Sequence, residues 1–215
     1  MRTLLPLLTP TLVLLFAGPV VSQQQTRTGS LSERWFEGFL VLNDGDTLRG
    51  KVNFNTETEA LRVNAGGTVR TYSSQGVRSF RVFDDQMLQT RRFQTLPFVL
   101  RDNYERPTLF EVLAEGKPLQ LYAQERTVMT TEPVYDPFLN RSFMMQRPRL
   151  ERTFFFRRND GRIRRFLGRK RDLYLLLEDH KRRVRHFVKR NNLRLDRPED
   201  LVEIVNYYNQ LHTSG

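Results

Sequence analysis

Between positions 33 and 167 the chain alternates apolar and polar residues in short runs that turn-forming residues separate. The run from Thr47 to Asn55 alternates cleanly, and it follows an aromatic-rich run from Trp35 to Leu42 across the turn sequence 43–46. A period of two indicates a strand with one buried face, and Asn, Asp and Gly favour a tight turn between two such strands. These two runs therefore predict a β-hairpin.

The same pattern recurs along the chain and predicts further strands. They cover residues 61–64, 68–73, 77–83, 87–98, 109–114, 119–124, 152–158 and 162–166. Short strands with turn signals between them are typical of an antiparallel β-sandwich or a partly open barrel, and we assign this β domain to residues 33–167. Residues 126–149 hold three prolines, paired methionines and little alternation, so they predict an excursion loop within the domain.

After Gly168 the hydrophobic period becomes that of a helix. One stripe recurs at intervals of three and four residues: Leu173, Leu177, His180, Val184, Phe187 and Asn191. As an N-cap, Asp179 would split this stretch into two helices, and Asp196 with Pro198 marks the start of another. We therefore predict a small helical appendage over residues 168–215 that docks on the β domain, which gives an α+β fold.

Residues 1–22 have the composition of a targeting segment. Arg2 precedes an apolar run over positions 4–16, and small residues lead to Ser22. The run contains two prolines and is shorter than the ~20 residues of a spanning helix, which favours a cleaved signal peptide over a membrane anchor. We expect an exported protein, periplasmic or secreted, whose mature chain begins at Gln23 with a disordered linker over 23–32 and has no transmembrane segment.

Three segments resemble a known group of proteins. They are the strand–turn–strand sequence from Gly38 to Val52, the basic segment from His180 to Leu193, and the tyrosine-containing run from Val205 to Leu211. Together they look like a family of secreted or periplasmic proteins of Bacteroidota that has no established function. The resemblance implies an exported bacterial protein, and it carries over no catalytic residue.

Candidate catalytic and metal-binding residues form no recognisable motif in the sequence. The chain has no Cys, only three His, and no HExxH sequence, nucleophile elbow or Gly-rich phosphate loop. The sequence Glu178-Asp179-His180 is either a metal or acid–base site or a helix junction with a partly buried His180, and we favour the junction. We therefore predict no catalytic residue, no bound metal and no cofactor.

The three consecutive phenylalanines at positions 154–156 allow two interpretations. On a strand, alternate side chains point to opposite faces. The run is therefore either a stacking platform for sugars or bases or a core strand that is buried on both sides, and we favour the core strand.

Charge is distributed unevenly along the chain. The formal net charge is +11, but residues 141–194 carry 19 Lys and Arg against 5 Asp and Glu, which makes this segment +14 and the remainder −3. The candidate polyanion-binding residues lie on the helical appendage: Arg169, Lys170, Arg171, Lys181, Arg182, Arg183, Arg185, Lys189 and Arg190. Such a surface attracts an anionic polymer or a membrane surface. Because Arg outnumbers Lys by 30 to 5, a solvated face of compositional origin is the alternative.

Taken together, the sequence predicts an exported, non-enzymatic binding or structural protein of the cell envelope. One alternative is a binder of polyanions or anionic headgroups that acts through the basic helices. Another is a hydrolase whose acidic residues converge only in the fold. A cleft with two carboxylates of raised pKa would favour the hydrolase, and a continuous basic face would favour the binder. No specific nucleic acid is predicted as a partner, and the oligomeric state stays open.

Overall fold

The structure is a computed structural model that describes residues 34–99 and 104–213. The predicted signal peptide (1–22) and linker (23–32) lie outside the described residues. The strands are β1 (Phe36–Leu42), β2 (Thr47–Asn55), β3 (Ala60–Ala65), β4 (Thr68–Ser73), β5 (Val77–Asp84), β6 (Gln89–Val99), β7 (Glu105–Ala114), β8 (Leu119–Asp136), β9 (Arg141–Arg158) and β10 (Ile163–Phe166). The α-helices are α1 (Lys170–Leu176), α2 (Lys181–Arg190) and α3 (Pro198–Thr213).

The strands form one open antiparallel sheet in the order β10-β9-β8-β7-β6-β5-β1-β2-β3-β4. Neighbours in sequence are neighbours in the sheet, except that β5 leaves β4 and pairs with β1. The sheet curls, so that Glu59 in the β2–β3 turn lies 3.8 Å from Arg106 on β7. The α+β class with an open, mainly antiparallel sheet is therefore confirmed.

The curled half of the sheet, formed by β1 to β7, buries an aromatic core against itself. Phe80 and Phe93 stack with ring centroids 4.4 Å apart, and Phe54 packs against both rings. Gly38 and Gly50 face each other across β1 and β2. A Cβ at either position would lie about 2 Å from a backbone oxygen of the next strand. Glycine is needed there because the strands approach too closely for any side chain.

The helices cover one face of the other half of the sheet. Leu121 on β8 and Phe156 on β9 lie in a core with helical residues that include Tyr208. The side-chain amide of Asn209 on α3 bonds both backbone groups of Leu119, accepting from its N–H at 3.0 Å and donating to its carbonyl at 2.8 Å. Docking of the helices on the β part is thus fixed by an apolar core and by a bidentate amide contact.

The strand at positions 154–156 is buried on both faces. Phe154 and Phe156 face the helices, whereas Phe155 lies on the other side with Phe110 and Tyr122. All three phenylalanines are buried, so none offers a platform for a ligand. The prediction of a two-sided core strand is confirmed.

The prediction of an excursion loop over residues 126–149 is wrong. This segment forms the outer parts of β8 and β9, which pair in continuous register from Leu119↔Arg158 to Asp136↔Arg141. Beyond Glu125 and Arg152 the two strands pair only with each other. We call residues 126–151 the ribbon. Proline is tolerated in it because each strand has a free edge where a missing N–H breaks no ladder bond.

The long helical stripe is split where the sequence suggested, although not by the expected cap. A 3₁₀ turn over Glu178–His180 separates α1 from α2, and His180 occupies the N-cap position of α2 without a capping hydrogen bond from its side chain. Asp179 therefore does not cap α2. The next helix begins at Pro198, as predicted. Within the described ranges, no helix is both long and apolar enough to cross a membrane.

Candidate functional site

The nine predicted polyanion-binding residues all lie on the helical side of the molecule. Arg169 precedes α1, Lys170 and Arg171 lie in its first turn, and the other six lie on α2. All nine are exposed. Among the described residues, none of these nine cations has a carboxylate within ion-pair distance. The set is therefore solvated positive charge that no acid in the described chain neutralises.

Packing of α2 directs its cations away from the core. Val184 and Val188 are buried beneath the helix, and Phe187 stacks on Tyr207 of α3 with ring centroids 4.0 Å apart. At 100° per residue, Arg182 and Lys189 then lie on the opposite, outward face. The sequence pattern thus gives one face to the core and the other to positive charge.

The N-terminus of α2 concentrates this charge. Its first turn contains Lys181, Arg182 and Arg183 and no acidic residue. The N-terminus of a helix already carries partial positive charge from its unpaired N–H groups, so cations there raise the potential further. These three residues and the preceding 3₁₀ turn line a solvent-open depression of about 470 Å³.

A second candidate site is a cavity of about 310 Å³ over β6, β7 and β8. Its wall includes three buried charged residues that the sequence analysis missed, Arg91, Glu111 and Glu125, and the partly exposed Arg152 on β9 completes a cluster with one member on each of four neighbouring strands. Arg91 donates two hydrogen bonds of 2.7 Å to Glu111 and one of 3.2 Å to Glu125. Arg152, directly opposite Glu125 in register, donates to the same carboxylate at 2.9 Å.

The electrostatics of this cluster favour the ionised form of Glu125. Burial raises the pKa of Glu125, but the guanidinium groups of Arg91 and Arg152 outweigh it, and the net pKa lies below the usual range. Burial likewise lowers the pKa of Arg91, and Glu111 and Glu125 raise it to a net value above the usual range. A general acid needs a carboxyl of raised pKa. Glu125 therefore does not have the raised pKa that a general acid requires.

The Glu178-Asp179-His180 sequence lies at the junction between α1 and α2, where His180 is half-buried, as the favoured interpretation of a capped junction predicted, although no side chain caps α2. The fold adds two partners from α3 that the sequence analysis did not find. The hydroxyl of Tyr208 donates to Asp179 at 2.9 Å, and Nε2 of His212 lies 2.8 Å from the same carboxylate. Burial and the bond to Asp179 raise the pKa of Tyr208 to about 12. Burial raises the pKa of Asp179, but its bonds to Tyr208 and His212 leave the net value below the usual range.

The missed residues were recognisable only in part. Arg91 and Glu111 occupy inward positions of apolar strands, two residues from Phe93 and Leu109 respectively, and a charge at such a position indicates a buried partner. No comparable signal joined Asp179 to His212, which lies 33 positions further along the chain.

Comparison with known proteins adds no family assignment. No protein-family model matches the chain, no curated protein matches its sequence, and no solved structure matches its fold. The resemblance to secreted proteins of Bacteroidota accordingly stays a prediction, and the functional argument depends on the geometry alone.

Proposed function

We propose that the protein is an exported, non-enzymatic binding protein of the cell envelope that attaches to phosphate-bearing polymers or headgroups through α1 and α2. The supporting observation is the set of nine exposed cations that have no acidic partner in the described chain. The expectation of export comes from the signal-like composition of residues 1–22.

The arrangement of charge on α2 opposes the stability of the helix itself. Like charges three and four residues apart repel each other, as Arg182, Arg185 and Lys189 do. Cations in the first turn also oppose the helix macrodipole. An anion bound along this face would relieve both penalties. The charge pattern of α2 is therefore more favourable when an anion is bound to the helix than when the helix is free.

The side-chain chemistry favours phosphate esters as the ligand. Six of the nine cations are Arg, and the planar guanidinium of Arg can form paired hydrogen bonds to phosphate oxygens, which the ammonium of Lys cannot. Phosphates also release bound counterions when they are neutralised, which contributes to affinity. A phosphorylated glycolipid or an anionic phospholipid headgroup presents this group at a membrane surface.

The test is binding to lipopolysaccharide and to vesicles that contain anionic phospholipid, at about 0.15 M salt, where the Debye length is ~8 Å and only close contacts persist. The binding variant reverses four cations of α2 to Glu: Lys181, Arg182, Arg183 and Arg185. Acidic residues near the start of a helix are stabilising, so this variant should remain folded. We expect it to lose binding.

A control variant with the same change in net charge separates a local site from general attraction. It reverses four exposed cations of the curled half to Glu: Arg49, Lys51, Arg70 and Arg81. We expect this variant to retain most of the affinity of the wild-type protein. Equal losses in the two variants, or no binding by the wild-type protein at this salt concentration, would contradict the proposal.

A second candidate function is attachment of a protein partner along the ribbon. Its supporting observation is apolar exposure: Phe138 at the tip is 96% exposed, and Met129, Met144 and Leu150 are each more than half exposed. Exposed apolar clusters of this kind mark interaction surfaces. Cross-linking of the wild-type protein in an envelope extract, against a variant with Asp at Phe138 and Met144, would test it, because only the wild-type protein should capture a partner.

A further inference from the structure

Three potential metal ligands converge where α3 meets the junction between α1 and α2. The groups are the carboxylate of Asp179 and the imidazole rings of His180 and His212, and one ligand atom from each lies within 4.8 Å of the other two. The two imidazole rings meet edge to face with centroids 4.6 Å apart. Holding two imidazole rings this close beside a carboxylate costs rotamer freedom, which an interaction among the three groups must offset.

Neighbouring groups already orient two of the three ligands. The hydroxyl of Tyr208 donates to both oxygens of Asp179, at 2.9 and 3.0 Å. Nδ1 of His212 lies 3.1 Å from the backbone oxygen of Tyr208 and donates its hydrogen there. That bond leaves Nε2 directed at Asp179. A histidine that donates one ring N–H to a carbonyl and presents the other nitrogen is the usual arrangement around a protein-bound metal.

The distances suit a small ion after modest adjustment. Ligands at ~2.0–2.1 Å from a tetrahedral zinc ion are separated from one another by about 3.3 Å. Nε2 of His212 and Oδ2 of Asp179 are 2.8 Å apart, a separation that either a proton on Nε2 or a bound cation between the two atoms accounts for. Small side-chain rotations bring all three ligands to the required separation, because Asp179 and His212 are both partly exposed.

We propose that Asp179, His180 and His212 bind a zinc ion, with water in the remaining coordination position. Two imidazoles and one carboxylate favour Zn²⁺ over Ca²⁺ or Mg²⁺, which prefer oxygen ligands. The ion joins the end of α3 to the start of α2 and thereby holds the helices against each other. The three ligands are not among the nine cations, although Asp179 and His180 line the same depression as Lys181, Arg182 and Arg183.

The experiment measures zinc affinity by competition with a chromophoric chelator, using the full chain without a polyhistidine tag. The test variants are His180→Gln and His212→Gln. The matched control is His186→Gln, because His186 is exposed on α2 and is the third histidine of the chain. We expect one ion per chain, a loss of affinity of about tenfold or more in each test variant, and an unchanged affinity in the control.

Two further measurements distinguish a built site from scattered surface binding. Tyr208→Phe keeps all three ligands but removes the hydroxyl that orients Asp179, so it should weaken binding less than either ligand substitution does. Zinc should raise the thermal midpoint of the wild-type protein, since a ligand that binds the folded state stabilises it, and should leave that of His212→Gln unchanged. Equal affinity in the wild-type protein and His212→Gln, or an equal loss in His186→Gln, would overturn the proposal.

Discussion

The inner and outer parts of β8 and β9 belong to the same strands and the same ladder, yet they lie in opposite environments. Between Leu119 and Glu125 on β8, and between Arg152 and Arg158 on β9, side chains pack beneath the helices or into the aromatic cluster on the other face. In the ribbon both faces are largely exposed. The ion pair between the buried Glu125 and the partly exposed Arg152 lies at the boundary between the two parts.

This difference separates two contributions to stability that occur together in most sheets, backbone hydrogen bonding and the burial of apolar side chains. Backbone pairing continues through the ribbon without interruption, but the net gain per hydrogen bond is small because the unfolded chain bonds to water instead. Burial of apolar surface supplies most of the stability of a domain. We therefore expect the inner part to determine the stability of the fold and the ribbon to contribute little.

The largest effect should come from truncating a core phenylalanine of the inner part. Phe156 is buried and packs edge to face on Phe166 at 5.3 Å. Phe156→Ala should lower the free energy of unfolding by about 3–5 kcal/mol. The control is Phe143→Ala on the ribbon, where the ring is 38% exposed and the expected change is within about 0.5 kcal/mol. Denaturant midpoints measure both, and similar losses would mean that the ribbon is buried in solution.

The helical cover of the inner part can be tested at two adjacent tyrosines. Tyr208 is fully buried in the core under α3, so Tyr208→Ala should cost about 2–4 kcal/mol. Tyr207 is half-buried and stacks on Phe187, and its replacement by Ala should cost only about 1 kcal/mol. Thermal or denaturant unfolding of the two variants gives the comparison. If neither variant loses stability, α3 is not docked.

The boundary pair should make stability depend on acid pH. The pKa of Glu125 in the folded protein lies below the reference value of 4.5, so the unfolded state binds more protons in that range. The contribution of Glu125 is therefore complete above pH 4.5 and is lost as the pH falls through its folded pKa. Arg91, Glu111 and Arg152 are the charged groups that face it.

Glu125→Gln removes this titration while keeping the size of the side chain. The variant should be less stable than the wild-type protein by about 1–3 kcal/mol at neutral pH, because the buried guanidinium of Arg91 and the partly exposed one of Arg152 lose an anionic partner. The difference in unfolding free energy between the wild-type protein and the variant should decrease towards pH 3, because Glu125 becomes protonated in the wild-type protein. Unfolding free energies measured from pH 3 to 7 give the result, and a constant gap would show that Glu125 does not titrate with a lowered pKa.

The smallest effect should come from shortening the ribbon. Deleting residues 130–135 together with 142–147 removes six residues from each strand, keeps the native turn and preserves which face each remaining side chain occupies. We expect the free energy of unfolding to change by no more than about 0.5 kcal/mol. Hydrogen exchange should also be faster at ribbon amides than at those of the inner part in the full chain. A large loss of stability would mean that the ribbon supports the core.

Most of the fold was predictable because a strand or helix with one buried face has apolar residues at regular intervals in its sequence. β2 is predicted to the residue from Thr47 to Asn55, and the last hairpin and the start of α3 at Pro198 also agree with the structure. The ribbon was not predictable, because two exposed faces impose no alternation. Its prolines, which usually end a strand, are accommodated at free edges.

The candidate sites were predictable only where the residues lie near one another in sequence. The basic face follows from the pattern of α2, in which Val184 and Val188 fix the buried side and the cations take the rest. The Arg91 cluster and the group formed by Asp179 and His212 require the register of four strands and the docking of α3. Local sequence determines neither the strand register nor the docking of α3, so sequence patterns could not show that the residues of these two groups lie close together.

The contact between Asn209 and Leu119 has a consequence for the order in which the chain becomes structured. The two residues are 90 positions apart, and Gly116 leaves room for the amide, because a Cβ there would lie 2.4 Å from Nδ2 of Asn209. During synthesis, β8 therefore emerges long before the side chain that bonds its first residue. The curled half can fold early, whereas one face of β8 and β9 remains exposed to solvent until α3 has been synthesised and docks on it. In that interval, the exposed apolar surface is a binding site for a holding chaperone.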